Sequence, residues 1–359
     1  MRIAIFPAHD DSAASARIRS FTLQRSLVAM GHDARLRDSE GADVLFVQKR
    51  ATPNTLTLVR EARQQGSLVL YDVDDLGRDL WYHIAPSVLH RLLPMVDVVT
   101  TDTSEHRDLL LRDYGVQSVE IIPDTIDYYP TGPVRLPLTD TSPLRVLWFG
   151  NVANISLFEK YAHTLASMAG VQTVAVTNAR AIERLSAHWP AVDFVPWSRN
   201  EFVSVLQSCA LTVLPHDGTE ADRAKSNNRM IASITWGVPA IVSRTPDYVR
   251  TAQEAGVEYA LFNDESELIA AVERLRTASA RLAYLDAAQS EVWRRYSPAA
   301  VAMRFLEVVQ SAKRQNAISP DGYLRWLRRA SRGRVASALM LEAMHIASRL
   351  RRRGAENAS

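Results

Sequence analysis

The stretch Lys225 to Gly237, KSNNRMIASITWG, has the residue types to hold a diphosphate. It follows a strand-like run, Cys209 to Leu214, and a polar loop, His216 to Ala224, so the order reads strand, loop, helix. A helix beginning near Ser226 turns free backbone N–H groups and the positive end of its dipole toward whatever lies in front of it. Ser226, Asn227 and Asn228 are N-cap residue types, and Lys225 and Arg229 add two cations at the same spot. An ordinary capped helix with solvated basic residues carries the same pattern, so the stretch has to be weighed with its surroundings. A second group, His9, Asp10 and Asp11, follows the first strand-like run and offers a general base for a hydroxyl. The same residues also close turns and cap helices. Asp72, Val73, Asp74 and Asp75 follow another strand, and carboxylates so spaced suit a hard divalent cation. No further carboxylate or histidine cluster completes a coordination shell, so no metal is expected.

The elements that position these groups alternate. Ile3 to Phe6 is a buried-strand pattern, and Ser15 to Met30 has near-helical apolar spacing that closes at Gly31. Strands follow at Val44 to Gln48, Leu68 to Tyr71, Val96 to Thr100 and Val119 to Ile122, with helices between them. Residues 130–143 hold four prolines and little periodicity, which marks a linker. The alternation then restarts at Arg145 to Phe149 and runs through strands at Val171 to Val176, Val192 to Val195, Leu211 to Leu214 and Ala240 to Ser243. This predicts α/β architecture with two doubly wound, Rossmann-like parallel sheets, each placing ligands outside the carboxyl ends of its strands. The expected domains are 1–140, 141–297, a helix over 298–318, and a tail over 319–359.

Composition sets outer bounds. Apolar residues are 47% and charged residues 23% of 359, the balance of a globular protein, and a net charge of +2 gives no reason to expect nucleic acid. The one cysteine, Cys209, lies in an apolar run and fits a reducing, cytoplasmic setting. MRIAIFP is too short for a signal peptide, and no run reaches the roughly 20 apolar residues of a transmembrane helix. Residues 319–353 interleave nine arginines with Trp326, Leu327, Met340 and other apolar side chains, the pattern of a basic amphipathic helix. Such a helix lies on an anionic membrane surface or packs on its own protein as a solvated face.

Neither glycine-rich signature is present. The first βα turn, PAHDDSAASARIR, has no glycine, and no G-x-x-x-x-G-K-[ST] occurs, which argues against a dehydrogenase or an NTPase. Taken together, residues 1 to about 312 resemble glycosyltransferases of the two-Rossmann-domain (GT-B) type, and most of all the family 4 group of bacterial surface-polysaccharide enzymes. The resemblance is carried in order by SARIRSFTLQRSLVAMGH, LVLYDVDDL, VDVVTTDTSEHRDLL, VEIIPDTID, LRVLWFGN, LTVLPH and KSNNRMIASITWGVPAIVS. It implies a nucleotide sugar bound by the second domain as donor substrate, with no cofactor, and a glycan or lipid-linked glycan acceptor on the first, across a cleft. It puts Lys225, Ser226, Asn227 and Asn228 at the donor diphosphate, Gly150 and Asn151 at the loop facing it, and Pro196 and Trp197 beside the base. On the acceptor side stand Arg17, Arg19, Asp74 and Asp75, with Asp10, Asp11 and His9 as base candidates and Lys225 as the catalytic cation. Two departures stand out: Ala224 and Ala232 occupy the positions of a glutamate pair common in that group, and Asn151 stands where an arginine is frequent. A sugar-nucleotide epimerase and a non-catalytic sugar-binding subunit at the membrane are the competing readings.

Overall fold

The Ile, Val, Leu and Phe runs become the strands of two parallel sheets. The computed structural model describes residues 1–74, 86–128, 130–140 and 142–312. They form two units, Met1–Thr125 with the helix Pro298–Ser311, and Ile126–Ser297.

The first unit holds β1 (Arg2–Phe6), β2 (Asp33–Leu36), β3 (Val44–Gln48), β4 (Leu68–Asp72), β5 (Val98–Thr101) and β6 (Val119–Ile121). Their order across the sheet is β2-β1-β3-β4-β5-β6, and every neighbouring pair is parallel. All five residues of β3, VLFVQ, are buried, as expected for a strand covered by helices on both faces. β2, DARL, is absent from the pattern of expected strands because only one of its four residues is buried. The helix Pro298–Ser311 closes this unit: Val301, Ala302, Phe305 and Val308 join the core of Ile3, Ile5 and Phe46. Phe305 meets Phe46 edge-on at 5.6 Å, and Arg304 Nε donates to the Ile121 carbonyl at 3.0 Å.

The second unit holds β7 (Leu144–Phe149), β8 (Val171–Thr177), β9 (Val192–Pro196), β10 (Leu211–Leu214), β11 (Ala240–Ser243) and β12 (Leu261–Phe262), in the order β12-β11-β10-β7-β8-β9. All pairs are again parallel. The doubly wound α/β architecture expected from the alternation of elements therefore holds in both units. The proline-rich segment expected to join two domains is a strap on the second unit. Val134 N donates to the Thr235 carbonyl at 2.8 Å, Gln289 Nε2 to the Val134 carbonyl at 2.8 Å, and Arg281 Nη2 to the Thr139 carbonyl at 2.7 Å. Gly237 permits this contact. Its φ is +82°, and a Cβ there would lie 2.8 Å from the Val134 carbonyl oxygen, so both backbone angle and space demand glycine.

Asp75 and the arginine-rich tail over 319–353 lie outside the described residues. No helix among the described residues is long and apolar enough to cross a membrane.

Candidate functional site

In the second unit the chain runs β7, β8, β9 in one direction and then continues with β10 on the other side of β7. The loops after β7 and β10 therefore diverge, which opens the crevice where doubly wound sheets bind ligands. The first loop is Gly150 and Asn151, and the second begins with Pro215 and His216. Facing them is the helix Asn228–Thr235. Arg229, in its first turn, spans the switch point: Nη1 donates to the Phe149 carbonyl at 3.2 Å and Nη2 to His216 Nε2 at 2.8 Å. The Tyr248 hydroxyl belongs to the same group; burial raises its pKa while the Arg229 charge pulls it down. Among the described residues the hydrogen-bond partners of this half-buried guanidinium are a carbonyl and an imidazole, with no carboxylate among them. Gly150 packs closely beside it: a Cβ would meet the Trp148 ring at 3.0 Å and Arg229 Nη1 at 3.5 Å, so a side chain there would press on the tryptophan.

Lys225 lies on the same edge. Its backbone N–H donates to the Asp222 carbonyl at 3.1 Å, and its charge is felt by His216. Asn227 turns inward instead. Its side-chain Nδ2 donates to Thr251 Oγ1 at 2.7 Å and its backbone N–H to Asp247 Oδ2 at 2.7 Å. It anchors the start of the helix and makes no side-chain cap. Asn178, at the end of β8, accepts from Val152 N at 2.8 Å and so holds the loop after Gly150 and Asn151. Pro196 ends β9, and Trp197 is 41% exposed while its backbone N–H donates to the Thr177 carbonyl at 2.7 Å. Gly150, Asn151, Pro196, Trp197 and Lys225 to Asn228 thus share the carboxyl edge of one sheet. Ala224 and Ala232, the two departures, are packed at 1% and 4% exposure.

His216 and Asp222 were not singled out by residue type, yet they hold the arginine. Asp222 Oδ1 lies 3.3 Å from His216 Nδ1, while Oδ2 accepts from Thr219 Oγ1 at 3.0 Å and Asp217 N at 3.3 Å. The His216 bond leads the contacts that hold the Asp222 carboxyl down at about 2. Burial, followed by the charges of Arg229 and Lys225, pushes the His216 imidazole below its ordinary value of 6.5, against the pull of Asp222. A lowered histidine pKa means that the unfolded chain takes up the proton first as pH falls. The neutral imidazole therefore stabilises the fold fully above about pH 6.5 and progressively less below it. The melting temperature should fall between pH 7.5 and 5.5 more steeply in the native chain than in His216→Gln; parallel curves would contradict this.

The first unit has its own switch point, between β1 and β3. Gln48 Oε1 accepts from Ala8 N at 3.2 Å and Ser20 Oγ at 2.9 Å, and Lys49 Nζ pairs with Asp74 at 2.9 Å. His9 feels the charges of Lys49, Arg50 and Asp10. Burial and then the charges of Lys49 and Arg50 lower its pKa, with Asp10 opposing. Asp10 closes a turn, accepting from Ser12 N at 3.0 Å and from the Ser12 hydroxyl, and those two bonds lower its pKa. The carbonyl of Asp11 accepts from Arg17 Nη1 at 3.0 Å.

Arg17 and Arg19, placed on the acceptor side by the resemblance, are both buried. They belong to a five-residue π-turn, Arg17–Phe21, which directs consecutive side chains inward. Arg19 grips Asp72 with two 2.6 Å bonds and adds Asp124 at 2.9 Å and the Ile122 carbonyl at 3.0 Å. Asp72 is thereby committed to an internal ion pair. Among the described residues no group of three or more His, Cys, Asp or Glu is placed to hold a metal ion.

No protein-family model and no curated protein sequence matches the chain. Solved structures do. Both Rossmann-like units together have the GT-B fold. The chain superposes on Anabaena Alr3699/HepE, solved in complex with UDP, with a TM-score of 0.59 and 12% identity over 87% of this chain and 100% of that one. It also superposes on E. coli trehalose-6-phosphate bound with UDP-2-fluoro glucose, at TM-score 0.53 and 11% identity over 75% of this chain and 74% of that one. TarM gives 0.55 and 10% identity over 75% of this chain; the chain spans 55% of TarM's length.

Proposed function

We propose that this protein is a glycosyltransferase that moves a sugar from a nucleotide-diphosphate sugar to an acceptor hydroxyl. The observation that carries this reading is the half-buried Arg229 guanidinium at the switch point of the second sheet, held by neutral acceptors beside Gly150. A cation fixed without a carboxylate partner retains its charge for an anionic ligand, and Lys225 and the helix start add to it. The fold shared with a UDP complex and a UDP-2-fluoro glucose complex supports the same ligand class.

In the reaction the bond from the anomeric carbon to the diphosphate oxygen breaks and its electron pair leaves with the diphosphate. The acceptor oxygen forms the new bond to that carbon and gives up its proton. Arg229, Lys225 and the N–H groups at the start of the helix stabilise the departing charge; such preorganised donors act where charge develops. Gly150 and Asn151 line the donor diphosphate with Ser226 and Asn228, and Trp197 offers a face for the base beside Pro196. Asn227 shapes the loop from within. For an inverting reaction the proton needs a base, and His9, kept neutral by burial and by Lys49 and Arg50, suits that role better than Asp10, whose carboxylate is held by Ser12. The reading extends to surface polysaccharide or glycoconjugate synthesis at the inner face of the membrane, with residues 319–353 on anionic lipid.

The test is a thermal-shift screen of the full chain against nucleoside diphosphates and their sugars. A ligand at 100 times its Kd stabilises by about 2.7 kcal/mol, so the responding compounds name base and sugar together. Incubating the best donor with acceptor mixtures then separates transfer from epimerisation or binding alone. If no nucleoside diphosphate or nucleotide sugar raises the melting temperature, the reading fails.

A further inference from the structure

Arg229 is itself held, and the way it is held bears on the donor. Asp222 is ionised at any working pH, since its contacts keep its carboxyl down at about 2. An ionised carboxylate only accepts, so the His216 nitrogen facing it, Nδ1, carries the proton. The other nitrogen, Nε2, is then an acceptor, and it meets Arg229 Nη2 at 2.8 Å. The tautomer follows from the two neighbours: a carboxylate on one side and a guanidinium on the other admit a single neutral form. The His216 side chain is 4% exposed and its ring lies 5.6 Å from that of Tyr248, so it has little freedom to turn.

We infer that Asp222 and His216 form a relay that positions Arg229 for the donor diphosphate while leaving its charge unspent. This rests on the donor reading above and adds a positioning role for two residues that lie behind the site. A direct Asp222–Arg229 pair would orient the guanidinium equally well, but the carboxylate would neutralise the cation and compete with the incoming anion. A neutral imidazole between them transmits the orientation and withholds the charge. Asp222 can hold the imidazole because its second oxygen is tied to Thr219 and the Asp217 N–H. The relay predicts that what matters at position 216 is an acceptor aimed at Arg229, not a titratable ring.

The experiment is calorimetric binding of inorganic pyrophosphate to the full-length native chain and to Arg229→Ala, His216→Ala, His216→Gln and Asp222→Ala. Arg229→Ala and His216→Ala should each weaken pyrophosphate by about tenfold or more, the scale of one hydrogen bond to a charged group. His216→Gln, whose amide oxygen can accept from Arg229, should recover affinity to within about threefold of native. Native-like binding in Arg229→Ala would defeat the donor reading itself. Weak binding in Arg229→Ala with native binding in His216→Ala would overturn the relay alone. Equal losses in His216→Ala and His216→Gln would also overturn it, because the histidine would then matter as packing and not as an acceptor. If His216→Ala does not fold, Asp222→Ala carries the same question: weakened pyrophosphate binding supports the relay, and unchanged binding overturns it.

Discussion

On the proposed donor site, Arg229→Ala and Lys225→Ala should each lower the rate of sugar transfer by about 100-fold or more, because each removes a positive charge from the place assigned to the leaving diphosphate. A preorganised donor at such a position is worth roughly 3 to 4 kcal/mol in the barrier, and each 1.36 kcal/mol is about tenfold in rate. The two residues differ in how they are held, which makes the pair informative. Arg229 is fixed by the Phe149 carbonyl and His216 Nε2, so Arg229→Lys should recover little: one ammonium does not reproduce the planar fork that meets both acceptors. Lys225 acts as a point charge, and Lys225→Arg should retain more activity. Steady-state rates at varied donor concentration decide the matter. Near-native turnover in both alanine variants would remove the diphosphate from this edge of the sheet.

How much of this arrangement was legible beforehand depends on which physical signal each residue carries. Central strands such as β3 and β7 announce themselves because burial on both faces requires a continuous apolar run. Edge strands do not. β2 is the half-exposed DARL, and β12 is the two-residue pair Leu261–Phe262, so neither offers a period to count. KSNN after LTVLPH was readable as a helix start beside a loop, since capping residues and cations cluster there in sequence. That Asn227 faces Thr251 was not readable, because a partner 24 positions away leaves no local trace. His216 and Asp222 were hidden for a related reason: a lone histidine in a polar loop has no meaning until strand order brings Arg229 beside it. Asp10 shows the reverse case. Its turn-closing bonds to Ser12 are local and were foreseeable from residue type alone.

Arg17 and Arg19, placed on the acceptor side by the resemblance, show what sequence alone conceals. On an ordinary helix following β1, two arginines two positions apart point to different faces, and one of them is free to meet an acidic acceptor. The π-turn over Arg17–Phe21 cancels that inference and turns both inward. The consequence is a stability prediction of unusual size. Arg19→Met should destabilise the first unit by about 3 to 5 kcal/mol, the cost of leaving a buried charge without its partner. Asp72 would lose both bonds to the guanidinium and keep the hydroxyl of Thr100 at 2.7 Å, while Asp124 would lose its 2.9 Å contact. Urea unfolding should show the loss, and heating should show a melting temperature lower by about 10 °C. Adding Asp72→Asn to Arg19→Met should restore part of the stability, because the orphaned charge is what costs most. Arg19→Lys should remain well below native, since a single ammonium cannot bind both oxygens of Asp72 and reach Asp124 at once. The acceptor-binding role implied by the resemblance predicts the opposite pattern: a raised acceptor KM in Arg19→Met with unchanged unfolding. Unchanged urea midpoints would return Arg19 to the substrate, whereas a large loss of stability makes this arginine the internal counter-ion that ties β4 to the chain just beyond β6.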